Sequence, residues 1–278
     1  MSRVIRTATA EEAMRLWPAV SEEHLFADEV AIRAYLDAAP WRLRVTKRGE
    51  AALLGVWRER VGALAIRAVW SAQRSVPAFA ADALEQAREN GLARVLSPLL
   101  PEVLLHGYRS AGMRDVHRVV AIQGHPQLVL PADPPIGTLI RAGNAADVPA
   151  AAAIEETSFD DFWRYDETEL LALLDTDRFA VAETSAGEVI GYTLTTVSRG
   201  AATLSRLATA AHARNCGVGR ALLAESAAWS AKSGAATYSL CTQEDNSVSR
   251  SLYASAGLGE LAERYGFALG DVAEEGLG

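Results

Sequence analysis

The sequence predicts an α/β protein built as two tandem domains, each a mixed, mostly antiparallel sheet flanked by helices. Three observations lead there. Strand-like and helical segments mix along the chain, with hairpins first and a crossover through a long helix later. Short patterns of the first half return in the second in the same order, at an offset that drifts from 136 to 145 residues. Between the halves, residues 123–138 (QGHPQLVLPADPPIGT) hold four of the ten prolines, and proline removes backbone donors and fixes φ. The expected organisation is a first domain at 1–125, a Pro-rich linker at 126–137, a second domain at 138–270 and an acidic tail at 271–278.

Each half opens alike. Val4-Ile5-Arg6 reads as a strand, and Thr9-x-x-Glu12 as a capping box that starts a helix. In the second half Leu139-Ile140-Arg141 is the strand and Asn144 caps an alanine-rich helix. Arg42–Val45, Gly49-Glu50 and Gly55 then match Arg178–Val181, Gly187-Glu188 and Gly191, as one hairpin used twice. Tyr108-Arg109-Ser110-Ala111-Gly112-Met113 matches Tyr253-Ala254-Ser255-Ala256-Gly257-Leu258. The second half further predicts helices over 145–156, 167–174, 218–232 and 247–255. Its strands are expected over 138–142, 179–183, 189–197, 202–209, 237–242 and 260–269.

Composition narrows the function classes. Residues 1–135 carry 17 basic and 15 acidic side chains, a net +2; residues 136–278 carry 10 and 20, a net −10. An acidic second half disfavours nucleic acid as a partner and tolerates a cationic small molecule or a basic peptide. No apolar run is long enough to span a membrane, and the first residues reach acidic side chains too soon for a secretory signal. Two cysteines, Cys216 and Cys241, form no disulfide framework, which fits a reduced cytoplasmic protein. A fused pair of domains often stands in for a dimer, so a monomer is expected.

The segment Arg214-Asn215-Cys216-Gly217-Val218-Gly219-Arg220 joins a strand to a helix. A helix start offers unpaired N–H groups and a partial positive charge, so an anion is its natural guest. Gly217 and Gly219 let the backbone approach that anion without a Cβ in the way, and Arg214 and Arg220 add charge. The Walker pattern is absent, and the dinucleotide pattern fails because Leu222 stands where its third glycine belongs. Taken alone, the two glycines read first as a tight strand-to-helix turn.

Downstream, Asn246 to Leu258 adds a second pattern. Together the two stretches resemble the GNAT-type N-acetyltransferases. Arg214-x-x-Gly217-x-Gly219 is similar to their R/Q-x-x-G-x-G/A signature, and Asn246–Leu258 to their N-x-x-A-x-x-L-Y-x-x-x-G-F segment, with Ser249 for the usual Ala and Leu258 for Phe. The resemblance covers 138–269 and implies acetyl-CoA as acyl donor and no metal. It implies that Leu207, Ala208 and Thr209 offer strand-edge backbone to the pantetheine arm. Arg214, Asn215, Gly217, Val218, Gly219 and Arg220 would cradle the pyrophosphate, Asn246 would touch the cofactor, and Tyr253 would be the general acid at the sulfur. Cys241 occupies the position five residues before the asparagine where some members carry a glutamate base, so no base is assigned. Glu244 and Asp245 lie near and read equally as solvated surface.

The loop Ser158–Asp166 is expected on the acceptor side. Asp160, Asp161, Phe162 and Trp163 either hold a cationic amine by charge and ring faces or form a solvated acidic helix end. In the first half, aligning Arg74 with Arg214 puts Pro77 and Phe79 on the two glycines and Pro101 on Asn246, leaving only Tyr108 in common. The first copy is therefore expected to be degenerate. The expected function is an acyl-CoA-dependent N-acyltransferase acting on a primary amine of a small molecule or peptide; the alternative is a CoA-binding sensor or scaffold that has lost catalysis.

Overall fold

Helix starts are set where side chains return hydrogen bonds to free backbone N–H groups. Thr9 and Glu12 form the expected reciprocal pair: the Glu12 N–H donates to Thr9 Oγ1 (3.2 Å) and the Thr9 N–H to Glu12 Oε2 (2.9 Å). Asn144 and Asp147 repeat it. Behind each box stands an arginine from the preceding strand: Arg6 on Glu12 (2.7 Å) and Arg141 on Asp147 (2.7 Å). Arg6 is the main cause, and the Thr9 N–H the next, of a Glu12 carboxyl held down at about 2.

The computed structural model describes residues 4–22, 25–26, 28–58 and 62–272. The acidic tail from residue 273 onward lies outside them. In chain order the strands are β1 (Ile5–Thr7), β2 (Leu43–Thr46), β3 (Ala51–Trp57), β4 (Ala63–Trp70), β5 (Arg94–Leu96), β6 (Leu100–Pro101) and β7 (Arg114–Gly124). They continue as β8 (Thr138–Ala142), β9 (Arg178–Thr184), β10 (Val189–Ser198), β11 (Ala201–Thr209), β12 (Thr237–Gln243) and β13 (Gly259–Asp271). The helices are α1 (Ala10–Glu22), α2 (Glu29–Ala38), α3 (Val76–Glu89), α4 (His106–Arg109), α5 (Val148–Ser158), α6 (Glu167–Leu173), α7 (Val218–Lys232) and α8 (Ser247–Ser255).

The chain forms two units, Met1–Arg118 with Tyr265–Gly278, and Val119–Arg264. The division falls at 118/119 and 264/265, so the Pro-rich segment lies wholly within the second unit. In the first unit β1, β2, β3 and β4 pair antiparallel in sequence order, and β5 joins β4 in parallel. Its next strand comes from the far end of the sequence: Leu269–Asp271 pairs with Arg94–Leu96, and Ala268 is buried in the first unit's core. The second unit has the same plan. β8, β9, β10 and β11 pair antiparallel, β12 joins β11 in parallel, and Val119–Gly124 of β7 pairs with β12. Val120 and Ile122 of β7 are buried in the second unit's core, with Leu223, Tyr238 and Leu240. Each sequence half is thus completed by a strand from the other.

Two bulges mark the duplication. On β4, Arg67 is skipped between Ala68, opposite Leu53, and Ile66, opposite Leu54. On β11, Ser205 is skipped between Arg206, opposite Leu194, and Leu204, opposite Thr195. Counted from the bulges, Gly55 (opposite Ala65) and Gly191 (opposite Thr209) are not equivalent, although the sequence pairs them. The reason is that the β9–β10 hairpin is longer than β2–β3, so equal spacing along the chain is not equal register. Among the described residues no helix is long and apolar enough to cross a membrane.

The strand from the other half gives a first test. A chain beginning at residue 126 lacks Val119–Gly124 and leaves the Tyr238–Gln243 edge open; one beginning at residue 113 keeps it. Removing three buried aliphatic side chains (Val119, Val120 and Ile122) and six paired positions is expected to abolish cooperative thermal unfolding in the shorter chain, and the longer is expected to recover it. Differential scanning calorimetry of the two chains checks this. A second test concerns Glu12. Its folded pKa lies below its unfolded value, so its contribution is present above about 4.5 and lost as the pH falls towards 2. Glu12→Gln is expected to flatten the loss of stability across that window in urea titrations.

Candidate active site

β11 is bound along one edge and free along part of the other. It pairs with β10 through eight positions, from Ala201 to Thr209, but with β12 only at Ala201–Thr203. β12 then goes with β7 through six positions up to Gln243. Beyond Thr203 the two parallel strands diverge, and among the described residues no strand pairs with the far edge of Leu204–Thr209. The Ser205 bulge lies where the divergence begins, and a bulge bends the strand that carries it. Its hydroxyl is hydrogen-bonded to Leu194 O (3.2 Å) and Asp177 Oδ2 (3.0 Å). An exposed strand edge is a template for any extended chain with amide groups. Leu207, Ala208 and Thr209 lie on that edge.

β11 runs directly into the glycine loop. The Ala210 N–H donates to Ile190 O (2.9 Å), a single 3₁₀ turn covers Ala211–Ala213, and the backbone turns left-handed at Asn215 (φ 61°) and Gly217 (φ 92°). α7 starts at Val218 with Gly217 as its N-cap and no side chain capping it. Gly191 lets this start lie close to the sheet: a Cβ there would stand 3.0 Å from Ala208 O and from Leu222 Cδ1. A Cβ on Gly219 would lie 3.7 Å from Leu207 Cδ2 and Thr209 Cγ2 and 3.8 Å from Leu252 Cδ2, ordinary contact distances that displace nothing. Val218 is buried and serves packing.

The two arginines of the loop have partners within the protein. Arg214 donates from Nη2 to Thr157 O (3.2 Å) and Ser158 Oγ (3.1 Å), tying the loop to the end of α5. Arg220 donates from Nη2 to Ser255 O (3.0 Å), joining α7 to the end of α8. Asn246 is the N-cap of α8, its Oδ1 accepting from the Ser249 N–H (3.0 Å). Tyr253 is buried on α8 in one cluster with Leu204 of β11 and Tyr238 and Leu240 of β12, with Leu207 packed against it. The phenol thus belongs to the side chains that fill the splay. Burial pushes it up to about 12, against the opposing pull of a hydrogen bond with Ser249. On β12, Cys241 is a free, exposed cysteine.

Residues 148–258 match the family model described as the acetyltransferase (GNAT) family. This stretch of the second half is similar to a GNAT domain. Solved structures extend the likeness over both halves. A GCN5-related N-acetyltransferase from Sphaerobacter thermophilus aligns over 98% of this chain and 96% of its own, at 17% identity and a TM-score of 0.66. A tandem GNAT protein from the clavulanic acid biosynthesis pathway aligns over 81% and 80%, at 14% identity and a TM-score of 0.64. At these identities the likeness is one of fold, and the fold is the tandem GNAT architecture. No curated protein matches the sequence.

The first half has the GNAT splay but not the GNAT loop. β4 and β5 pair only at Ala63–Ala65 and Arg94–Leu96. The 3₁₀ turn Gln73–Ser75 lies 138 residues before Ala211–Ala213, whereas α3 starts 142 residues before α7. The second copy therefore holds four residues, Arg214–Gly217, that the first lacks. This corrects the sequence alignment: Arg74 is equivalent to His212, not Arg214, and Gly217 falls within the insertion while Gly219 falls on Pro77, rather than the two falling on Pro77 and Phe79. Residue identity misled because the insertion sits beside the compared arginine. Ser75 is buried and donates to Glu50 Oε1 (2.5 Å), and Pro77 has no N–H to offer.

In the loop expected on the acceptor side, Asp160 is occupied within its own turn, accepting from the N–H groups of Phe162 (3.0 Å) and Trp163 (3.2 Å). Asp161 pairs with Arg164 (2.7 Å), and the Phe162 and Trp163 rings meet edge to face. Behind them lies a cluster the sequence reading missed. Glu155 of α5 is fully buried. Its Oε1 accepts from the Tyr192 hydroxyl and stands 3.2 Å from Arg206 Nε; its Oε2 accepts from the Tyr165 N–H (2.8 Å). Arg206 donates from Nη2 to Trp163 O (2.7 Å), with its guanidinium over the rings of Phe159 and Tyr165. The ladder puts Arg206 on the face of Ala208, Leu194 and Tyr192, whereas the bulge turns Leu204 to the other face, so simple alternation along β11 does not reveal it.

The two glycines separate backbone demand from side-chain fit. Gly217→Ala is expected to lower stability by about 1–2 kcal/mol, because it places a Cβ in a left-handed residue. Gly219→Ala is expected to change it by less than about 0.5 kcal/mol. Urea unfolding of both variants checks the contrast.

Proposed function

We propose that the chain is an acyl-CoA-dependent N-acyltransferase that moves an acetyl group to a primary amine of a small molecule or peptide. One observation carries this reading: a strand edge that has lost its partner leads straight into an uncapped, glycine-opened helix start, with a tyrosine among the side chains of the splay. The edge of Leu207–Thr209 suits the amide-bearing pantetheine arm. The loop from Arg214 to Arg220 suits a diphosphate, through α7 amides and the helix dipole. Asn246, fixed as a cap, borders the same opening from α8.

Acetyl-CoA supplies an activated acyl group when bound; the chain's residues orient the reactants and manage protons. An amine of pKa ~10.4 is neutral in about one molecule in 2,500 at pH 7, a cost of ~4.6 kcal/mol. No carboxylate stands at Cys241 to take that proton, so it leaves through water or by desolvation of the amine. Tyr253 donates a hydrogen bond where the sulfur departs. With the phenol at about 12 and a thiol near ~8.5, full transfer of its proton is unfavourable by about three units, and the proton that ends on sulfur comes from the attacking amine. Overall, the N–C bond forms, the C–S bond breaks, and one proton moves from nitrogen to sulfur.

The first copy, without the four-residue loop, binds no CoA on this reading, and the protein works as a monomer in the cytoplasm, where both cysteines stay reduced. A second reading, a CoA-binding sensor without catalysis, is favoured by Cys241 alone. Thiol release from acetyl-CoA across a panel of amines separates the two.

Calorimetry with acetyl-CoA is expected to give one equivalent bound, and two would contradict the silent first copy. Tyr253→Phe is expected to lower kcat about tenfold or more with acetyl-CoA affinity within twofold, and an unchanged kcat would remove Tyr253 from the mechanism. The pH profile has a definite sign. The neutral amine grows with pH while Tyr253 stays protonated to about 12, so kcat/KM is expected to rise tenfold per unit from pH 7 to 9.5 without a falling limb.

A further inference from the structure

We infer that Glu155, Tyr192 and Arg206 form a positioning cluster whose task is to pin the loop 158–166 to the sheet, so that the acceptor amine meets a fixed wall. The inference rests on the acyltransferase reading for the loop's use, but its geometry stands apart from it. Arg206 and Tyr192 come from neighbouring strands, and Glu155 from the helix that leads into the loop. The loop is held at the Trp163 carbonyl, the Tyr165 N–H and the rings of Phe159 and Tyr165. Arg206 follows the bulged Ser205 and precedes Leu207, so the same backbone that offers the strand edge also carries the anchor.

The duplication supplies the control. Counting eight residues from the capping acid, Glu155 corresponds to Val20 (Glu12 matches Asp147). Counting one residue past the bulge, Arg206 corresponds to Ala68. The strand partner three residues past the bulge is Tyr192 in the second copy and Ala51 in the first. Val20, Ala51 and Ala68 are 0%, 0% and 5% exposed. The same places in the same fold are filled with apolar side chains when nothing is asked of them. A buried ion pair seldom stabilises more than well-packed apolar residues of similar volume. Stability therefore does not explain the cluster. What distinguishes the copy that has it is the four-residue insertion Arg214–Gly217, which makes the glycine loop.

The test uses the full chain with Arg206→Met, similar in reach and without charge. Hydrogen exchange of the amides in 158–166 is expected to quicken at least tenfold, while β10 and β11 keep their protection. Acetyl-CoA affinity by calorimetry is expected to stay within twofold. For the panel amine that the wild type turns over fastest, KM is expected to rise tenfold or more with kcat within threefold. Arg206→Lys, which keeps the charge without the planar fork, is expected to restore only part of the protection. If Arg206→Met does not fold, the double change Glu155→Leu with Arg206→Met, apolar as in the first copy, takes its place. Unchanged exchange across 158–166 in a folded variant, or an unchanged KM, overturns the assignment. Failure of the wild type to bind acetyl-CoA would instead defeat the acyltransferase reading and leave the exchange result to decide the cluster.

Discussion

The site depends on two parallel strands parting after three paired positions. Unmade ladder bonds are costly when dry, so the parting needs support on both sides. β11 has it in eight positions with β10, and β12 in six with β7. Neither strand relies on the other, and the Ser205 bulge bends β11 where they separate. The wedge between them is filled by side chains, Leu204, Leu240 and Tyr253 among them. The free backbone of Leu204–Thr209 is left beside this wedge rather than inside a closed core. The phenol's raised pKa follows from the same packing, since what fills the wedge also keeps water from the ring.

The strand exchanged between the sequence halves belongs to this constraint. Without Val119–Gly124, β12 would have β11 as its remaining neighbour, and the cheapest way to satisfy its edge would be to close the splay. Supplying that strand from the other half of the sequence makes each unit depend on the whole chain. The first copy keeps the splay and the bulge, so these are properties of the fold. What it lacks is the loop Arg214–Gly217 and the charged cluster behind 158–166.

Much of this was legible in the sequence where the signal is local. The bounds of β8, α7 and α8 follow from caps, glycines and periodicity, and the capping boxes behave as their spacing demands. The glycine loop was legible because its demand, a left-handed residue before a helix, leaves a residue-type trace. The exchanged strands were not, because VVAIQG and GFALGD read as strands without saying which sheet they join. Gly55 and Gly191 looked paired because chain offset was taken for register. Glu155, Tyr192 and Arg206 come from three elements far apart in sequence, so no window contains them.

The two copies also bear on how the acceptor side should be read. Free carboxylates around exposed rings would favour a highly charged cation. Here Asp160 caps its own turn, Asp161 pairs with Arg164, and two of the ring faces are covered by Arg206. The loop's charge is largely spent on its own shape. On the acyltransferase reading, recognition of an amine there would depend on the outline of the wall and on desolvation more than on net attraction. Desolvation is also what an amine needs in order to lose its proton where no carboxylate stands at Cys241. The pinned loop and the missing base would then be parts of one arrangement: a wall that excludes water lowers the amine's pKa, and does so only if it stays in place.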